Sequence, residues 1–295
     1  MPDTDYIQMW FQEIQDRISA FLSVEDGSPC LEDRWDYANG TGGGITRIWE
    51  NSVLLEKAGV NYSAIQGSSL PPSAATQFQV SEGTPYTATG VSLVIHPHNP
   101  FIPTIHMNIR YFEAGERWWF GGGVDLTPYY PVHGEIVQFH RALRALCDEY
   151  EEDYVTHKKA CDDYFFIRHR NETRGVGGLF FDHLCADLEK HTAFVMALGT
   201  AFPDLYRPFI RAHRDRPFTP AQREFQCYRR SRYVEFNLVY DRGTLFGLQS
   251  GGRIESILMS MPAVASWRYN WTPEPGSPEA ELTEYYLKPR NWLAE

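Results

Sequence analysis

The chain has 295 residues, of which 43% are apolar and 22% are charged, a composition typical of an ordinary globular protein. Its formal net charge of −11 argues against a nucleic-acid partner, which requires a clustered basic face, but still permits an anionic small substrate bound by local arginines. No apolar run is long enough to span a bilayer, so we expect no stable membrane insertion.

The cysteines and the N-terminus both favour the cytoplasm. The five cysteines are an odd number without a CxxC pair, a pattern typical of free thiols in a reducing compartment. Four acidic residues precede Arg17, the first basic residue, whereas targeting leaders show the opposite bias. We therefore expect a cytoplasmic protein without a targeting segment.

The first elements are predicted from apolar spacing and from glycine and proline. Apolar residues at helical spacing predict a helix over residues 5–22. The glycine-rich stretch 39–44 lacks the Lys-Ser/Thr of a P-loop and the spacing of a dinucleotide fingerprint, so we interpret it as a flexible turn or lid. Residues 66–89 contain paired prolines and are predicted as a polar loop, after which strands dominate to about residue 124.

The densest chemistry lies in the segment TIHMNIRYF, residues 104–112. Alternation along a strand places the polar residues His106, Asn108 and Arg110 on one face. The other face then holds four hydrophobes, Ile105, Met107, Ile109 and Tyr111. We interpret the segment as a strand that presents a reactive polar face from an anchored backbone. The alternative is an ordinary half-exposed strand whose polar side faces water.

Helices are predicted from residue 134 to 200, with one apolar stripe over 136–150 and another over 180–198. His140 and His191 lie on these stripes, where a hydrogen-bonded core histidine is more usual than a ligand. Between the stripes lies a local group of cations, Arg168, His169, Arg170 and Arg174. Its alternative interpretation is a solvated helix end.

The C-terminal third is predicted to combine strands with short helices. Residues 203–224 are interpreted as a Pro- and Arg-rich connection. Residues 233–262 are predicted as a strand, a turn at Asp241, a second strand and a short helix that ends at Pro262. No composition break marks a linker, and strands and helices cluster in separate blocks. We therefore predict one domain over residues 1–295 with an α+β fold and an antiparallel sheet.

Long stretches of the chain closely resemble the oxygen-dependent coproporphyrinogen III oxidase family, and the likeness covers nearly the whole chain. The matching stretches are GVSLVIHPHNP (90–100), HMNIRYFE (106–113), WWFGGGVDLTPYYP (118–131), CDDYF…HRNETRGVGGLFFD (161–182) and EFNLVYDRGTLFGLQSGGRIESILMSMP (235–262). The resemblance implies oxygen-dependent oxidative decarboxylation of two propionate groups of coproporphyrinogen III to vinyl groups, giving protoporphyrinogen IX in haem biosynthesis. It also implies a large antiparallel sheet flanked on both faces by helices, and a homodimer with residues 233–268 as the dimerisation region.

The resemblance also implies roles for individual residues. His106 corresponds to the family's proposed proton donor. The implied substrate contacts are Ser92, Asn108, Ile109, Arg110, Gly251, Gly252 and Arg253. Bacterial relatives are described with a divalent ion held by four histidines, which correspond to His96, His106, His140 and His169.

The residue chemistry independently suits a substrate with several carboxylates. Arginine recognises carboxylates in a planar, bidentate manner. The candidate arginines are Arg110, Arg174, Arg242 and Arg253, and a structural ion pair is the alternative for each. The near-neutral side chain of His106 suits proton transfer around a pyrrole. Asp125 and Asp241 are candidates to stabilise positive charge on the pyrrole nitrogens or to act as bases.

O2 is the expected co-substrate, and no organic cofactor is expected. Whether a divalent metal such as Mn²⁺ is bound or needed stays an open question. One histidine does not comfortably serve as both metal ligand and proton donor, and an electron-rich porphyrinogen can react with O2 without a metal.

Two other functional classes remain as alternatives. A non-haem metal dioxygenase would use His96 and His106, although no carboxylate completes a facial triad by spacing. A non-catalytic tetrapyrrole carrier would need the arginines and aromatic residues but neither His106 nor the aspartates.

Overall fold

A seven-stranded antiparallel sheet forms the centre of the protein. The computed structural model describes residues 3–70, 80–81 and 83–294, and the paired prolines of the predicted loop lie outside these ranges. The strands are β1 Leu31–Asp36, β2 Gly40–Glu50, β3 Leu55–Gly67, β4 Tyr86–Pro97, β5 Thr104–Ala114, β6 Arg117–Thr127 and β9 Gly177–Leu184, in that order across the sheet. A separate ribbon pairs β7 Phe166–Ile167 with β8 Glu172–Thr173.

Helices cover both faces of this sheet, as the α+β prediction requires. They are α1 Thr4–Asp26, α2 His133–Glu149, α3 Tyr154–Tyr164, α4 Leu188–His213, α5 Pro220–Val239, α6 Arg242–Gln249, α7 Ile254–Leu258 and α8 Pro278–Glu281. A 3-10 turn follows β7 at Arg168–Arg170, and a π-helical turn follows α8 at Leu282–Tyr286. Within the described ranges, no helix has the length and apolar character needed to cross a membrane.

The apolar face of the sheet packs against α1 and α4. The predicted alternation along β5 is confirmed, because its four hydrophobes, Ile105, Met107, Ile109 and Tyr111, are all fully buried. At Gly199 of α4, a β-carbon would lie 2.4 Å from Ile14 of α1 and 2.7 Å from Ile109 of β5. Because glycine has no side chain, α1, α4 and β5 approach one another closely, and the core on this face of the sheet is tightly packed.

The polar face of the sheet is covered by α5, α6 and α7. Ser256 of α7 is hydrogen-bonded to Thr46 of β2 at 2.7 Å. At Gly59 of β3, a β-carbon would lie 2.4 Å from the sulfur of Met259, so the residues after α7 approach the sheet directly. A cleft remains between this helical layer and the polar face of the central strands.

The glycine-rich stretch 39–44 is not a lid, because most of it belongs to β2. Gly43 and Gly44 pair with Asp36 and Trp35 of β1. A β-carbon at Gly44 would lie 2.3 Å from the Trp35 ring, so the glycine makes room for the indole. Long strands β2 and β3 were not predicted, since glycines weaken the ordinary strand signal.

Two boundaries in the second half also differ from prediction. Phe180 and Leu184 lie on strand β9 and not on a helical stripe. Residues 203–213 belong to α4, although Pro203 and Pro208 lie inside that helix. An interior proline costs a helix about 3 kcal/mol or more, but α4 buries a long apolar face that offsets this cost. The buried residues near the prolines are Phe202, Leu205, Tyr206, Phe209 and Ile210.

The predicted strand, turn and second strand over 233–250 are wrong, because the segment is helical. Helix α5 continues to Val239, and Asp241 caps a new helix, α6. Phe225, Tyr228 and Phe236 are buried along α5, so helical packing outweighs the β propensity of its aromatic and branched residues. The predicted short helix before Pro262 is confirmed as α7.

Candidate active site

The cleft brings together most of the residues singled out in the sequence. The sheet contributes Ser92, His106, Asn108, Ile109 and Arg110, and the helical layer contributes Asp241, Arg242, Gly252 and Arg253. The remaining candidates differ in position. Asp125 is buried beneath the lining at the level of His106, with which it pairs across β5 and β6. Gly251 lies outside the lining, where its positive φ of 72° forms the turn after α6.

His106 is held from behind by a buried ion pair. Its Nδ1 lies 2.8 Å from Oδ1 of Asp125, a carboxylate that is 1% exposed. Arg174 donates to both oxygens of this carboxylate, from Nη2 at 2.7 Å and from Nε at 3.2 Å. The His106 side chain is 21% exposed, so its ring faces the cleft while its partners stay buried.

Asp125 is the acceptor that fixes which ring nitrogen of His106 carries the hydrogen. Burial raises the pKa of the Asp125 carboxyl, but the guanidinium of Arg174 and the hydrogen bond from His106 outweigh it and hold that pKa below its ordinary value. An ionised carboxylate only accepts hydrogen bonds, so Nδ1 of His106 carries the hydrogen it donates. The other ring nitrogen, Nε2, is then the one presented for proton exchange in the cleft.

Arg174 is a buried anchor beneath the cleft. Its guanidinium lies over three rings, those of Phe165 at 4.1 Å, Tyr233 at 4.5 Å and Phe236 at 4.8 Å. Its Nη1 donates to Asn237 at 2.8 Å, and the side chain is only 2% exposed. Arg174 belongs to the cleft lining, but its donors are committed to Asp125 and Asn237, so it is poorly placed to take a substrate carboxylate.

Arg110, Arg242 and Arg253 differ from Arg174 in being open to the cleft, with side-chain exposures of 34%, 44% and 34%. Arg242 stands over the Tyr164 ring at 4.9 Å, and Arg253 is paired with Asp33. These three guanidiniums keep donor groups in reach of a ligand, as recognition of several carboxylates requires.

Asp241 combines a structural contact with a charge in the cleft. As the N-cap of α6 it accepts from the backbone N–H and hydroxyl of Thr244 at 2.8 and 2.7 Å, and from the Tyr164 hydroxyl at 2.7 Å. Burial raises the pKa of this carboxyl, but these hydrogen bonds outweigh burial and hold the pKa below its ordinary value. Asp241 is therefore ionised at neutral pH and places a negative charge in the lining of the cleft.

The four histidines of the possible metal site do not fit a shared ion. The two ring nitrogens of His96 contact the Thr104 hydroxyl at 3.1 Å and the Ser260 carbonyl at 3.0 Å. Those of His140 contact the Tyr154 hydroxyl at 2.9 Å and the Val176 carbonyl at 3.1 Å. Each of these two imidazoles is therefore committed to protein partners on both sides.

The surroundings of the four histidines also differ. Burial lowers the pKa of His140 to about 3, so it is a neutral, hydrogen-bonded core histidine, as its stripe predicts. His169 is 41% exposed and pairs with Glu235 and Tyr240. Across the part of the chain that the structure describes, no three His, Cys, Asp or Glu side chains are grouped as metal ligands.

Sequence reasoning missed several residues in and around the cleft. Tyr164 and Asn237 belong to its lining, and Asp182 lies beside it as the partner of two lining arginines. Tyr164 donates to Asp241, and Asn237 accepts from Arg174. Asp182 lies near Arg110 at 3.3 Å and Arg242 at 3.5 Å. The alternation of Phe180 and Asp182 along a strand is the signal that was available, but the segment was interpreted as a helix.

Comparison with known proteins gives a consistent result over the full chain. The sequence profile described as coproporphyrinogen III oxidase matches residues 6–292. A curated relative from Dictyostelium discoideum, named oxygen-dependent coproporphyrinogen-III oxidase, is 52% identical over 320 aligned positions. The alignment covers 100% of this chain and 96% of that relative.

Proposed function

The chain belongs to the coproporphyrinogen III oxidase family, and we propose that its cleft carries out the family's reaction with the side chains described above. The enzyme oxidatively decarboxylates two propionate groups of coproporphyrinogen III to vinyl groups, giving protoporphyrinogen IX for haem biosynthesis. Each step removes CO2 and a hydrogen from the neighbouring carbon, and O2 accepts the two electrons.

The observation that carries this proposal is a single cleft that brings an oriented histidine on the sheet together with solvent-accessible arginines on the sheet and on the helical layer. His106, oriented by Asp125, exchanges a proton with the bound macrocycle through Nε2. Arg110 and Arg242 take propionates, since both guanidiniums reach the cleft. The negative charge of the Asp241 carboxylate stabilises positive charge on the pyrrole nitrogens during oxidation.

Incubation of the purified protein with coproporphyrinogen III, in air and under argon, tests the activity. We expect protoporphyrinogen IX to form in air only, because O2 is the electron acceptor. Analysis of the porphyrins after chemical oxidation of both mixtures measures the product. Equal conversion under argon, or none in air, would remove the assignment. A non-catalytic tetrapyrrole carrier would bind the macrocycle without converting it.

Arg242→Lys tests the anchoring of a propionate. Lysine keeps the charge but loses the planar fork, so we expect kcat/KM to fall by roughly ten- to a hundred-fold, the equivalent of about 1.5–3 kcal/mol for a charged hydrogen bond. Arg144→Lys is a matched control, since Arg144 pairs with Asp148 on α2, outside both the cleft lining and residues 233–268. Wild-type kinetics in both variants would reassign Arg242 to a structural role.

We further propose a cytoplasmic, single-domain protein that assembles as a homodimer through residues 233–268. Seven of the sixteen large apolar side chains that are exposed in the described chain fall within this short stretch. They are Leu238, Val239, Leu245, Leu248, Ile254, Val264 and Trp267. Such a concentration is typical of a protein–protein interface.

Mass measurement in solution tests the dimer. We expect a dimer for the wild type at micromolar concentration. Val239→Glu, a charge placed on a side chain that is 56% exposed, should shift it toward monomer while the fold is retained. Val53→Glu is the control, because Val53 is 79% exposed and lies outside residues 233–268. A monomeric wild type, or equal weakening by both variants, would contradict this interface.

A charged substitution at Leu258 is expected to weaken either dimerisation or folding.

A further inference from the structure

Asp182 lies between two arginines that face the cleft from different elements. Its Oδ1 is 3.3 Å from Nη2 of Arg110 on β5, and its Oδ2 is 3.5 Å from Nη2 of Arg242 on α6. The Asp182 side chain is 12% exposed, whereas both arginines are more open. The carboxylate is therefore placed behind the two guanidiniums, and the guanidiniums are placed toward the cleft.

The backbone around Asp182 is built to admit this pair. On β9, Asp182 shares a face with Phe180, which forms part of the cleft lining and stacks on Tyr164 at 4.2 Å. On β6, a β-carbon at Gly121 would lie 2.8 Å from Oδ1 of Asp182 and 2.9 Å from Nη2 of Arg110. The absence of a side chain at Gly121 leaves the space in which the carboxylate meets Arg110.

The contacts leave both arginines with spare donors. Oδ2 of Asp182 is buried and accepts no hydrogen bond among the described residues, since its distance to Arg242 is that of an ion pair only. Arg110 also donates from Nη1 to Asn108 at 3.2 Å. Two guanidiniums facing one cleft repel each other, and one shared carboxylate offsets part of that repulsion while holding a single nitrogen of each.

We propose that Asp182 is a positioning residue that holds Arg110 and Arg242 as a pair for the carboxylates of the substrate. This inference rests on the proposed function of the cleft and adds a residue that acts through the two arginines. Without Asp182 the guanidiniums lose their common anchor, and a substrate carboxylate must order both side chains as it binds. The effect falls on substrate binding, since Asp182 contacts neither His106 nor Asp125.

Asp182→Asn tests the proposal, with Asp148→Asn as a matched control at an exposed ion pair on α2. For Asp182→Asn we expect KM to rise roughly tenfold with kcat changed less than threefold, and no change for Asp148→Asn. Fluorescence titration with coproporphyrin III, the oxidised macrocycle with the same carboxylates, should show a similar loss of affinity. This titration requires no turnover, so it separates failure of this inference from failure of the proposed reaction.

Two further variants separate positioning from general destabilisation. Gly121→Ala keeps all charges but drives a methyl group between Asp182 and Arg110, so it should raise KM in the same way. In a double-mutant cycle, Asp182→Asn should raise KM less in the Arg242→Lys background than in the wild type, because Asp182 acts partly by positioning Arg242. Fully multiplicative losses would overturn the proposal. Tighter binding by Asp182→Asn would also overturn it, by showing that Asp182 competes with the substrate.

Discussion

His106→Ala is expected to lower turnover by ~10²–10⁴-fold, the usual contribution of a positioned proton-transfer group. The loss should fall on kcat, and coproporphyrin III should bind nearly as tightly as to the wild type. The physical reason is that the ring faces the cleft while its buried nitrogen is fixed by Asp125 at 2.8 Å. Steady-state kinetics combined with fluorescence titration measures the two effects separately.

A matched histidine variant controls for the general effect of removing an imidazole. His133 lies at the start of α2, outside the cleft lining, so His133→Ala should keep wild-type kcat. If His106→Ala retained turnover, proton transfer would belong to another group. If it lost porphyrin affinity in proportion to activity, His106 would be a binding residue.

Asp125→Asn should give the largest loss of stability among the cleft variants, about 3–5 kcal/mol in the free energy of unfolding. The substitution leaves the Arg174 guanidinium, whose side chain is 2% exposed, without its compensating charge. Such a loss is a large fraction of the ~5–15 kcal/mol that stabilises a typical domain. The amide also donates hydrogen bonds, so it no longer fixes which nitrogen of His106 carries the hydrogen.

Denaturant unfolding of Asp125→Asn and of a double variant that adds Arg174→Met provides the measurement. Removing both charges leaves no unpaired ion in the core, so the double variant should recover part of the lost stability. Turnover should stay low in both, because the uncharged amide no longer fixes which nitrogen of His106 carries the hydrogen. A loss below about 1 kcal/mol in the single variant would mean that water solvates the unpaired guanidinium of Arg174. That result would contradict the burial of this side chain.

The reactive face of β5 was predictable because it depends on a local rule. Side chains in a strand alternate whatever surrounds them, and four hydrophobes opposite three polar residues fixed the orientation of His106. The family resemblance gave the activity and the large sheet. The chemistry of the residue types singled out Asp125 and Arg174 as candidates, but it did not pair them, because 49 residues separate them in the chain.

The features that could not be predicted depend on contacts between residues that are distant in the sequence, and a local sequence pattern does not contain these contacts. The aromatic and branched residues of α5 favour a strand by propensity, and only the packing of Phe225, Tyr228 and Phe236 selects the helix. Asp241 was interpreted as a turn residue and lies at the start of α6, since aspartate serves both turns and N-caps. The grouping of histidines is likewise spatial, and His96 and His140 have separate sets of hydrogen-bond partners.

The most direct measurement is the product formed by metal-stripped wild-type protein with coproporphyrinogen III in air. Both ring nitrogens of His96 and of His140 are committed to protein partners, and Nδ1 of His106 is committed to Asp125. We therefore expect the chelated enzyme to keep most of its activity. His106→Ala should stay inactive whichever divalent ion is added. A chelated wild type that makes no protoporphyrinogen IX until Mn²⁺ or another divalent ion is restored would contradict this result and make a histidine-bound metal the centre of the reaction.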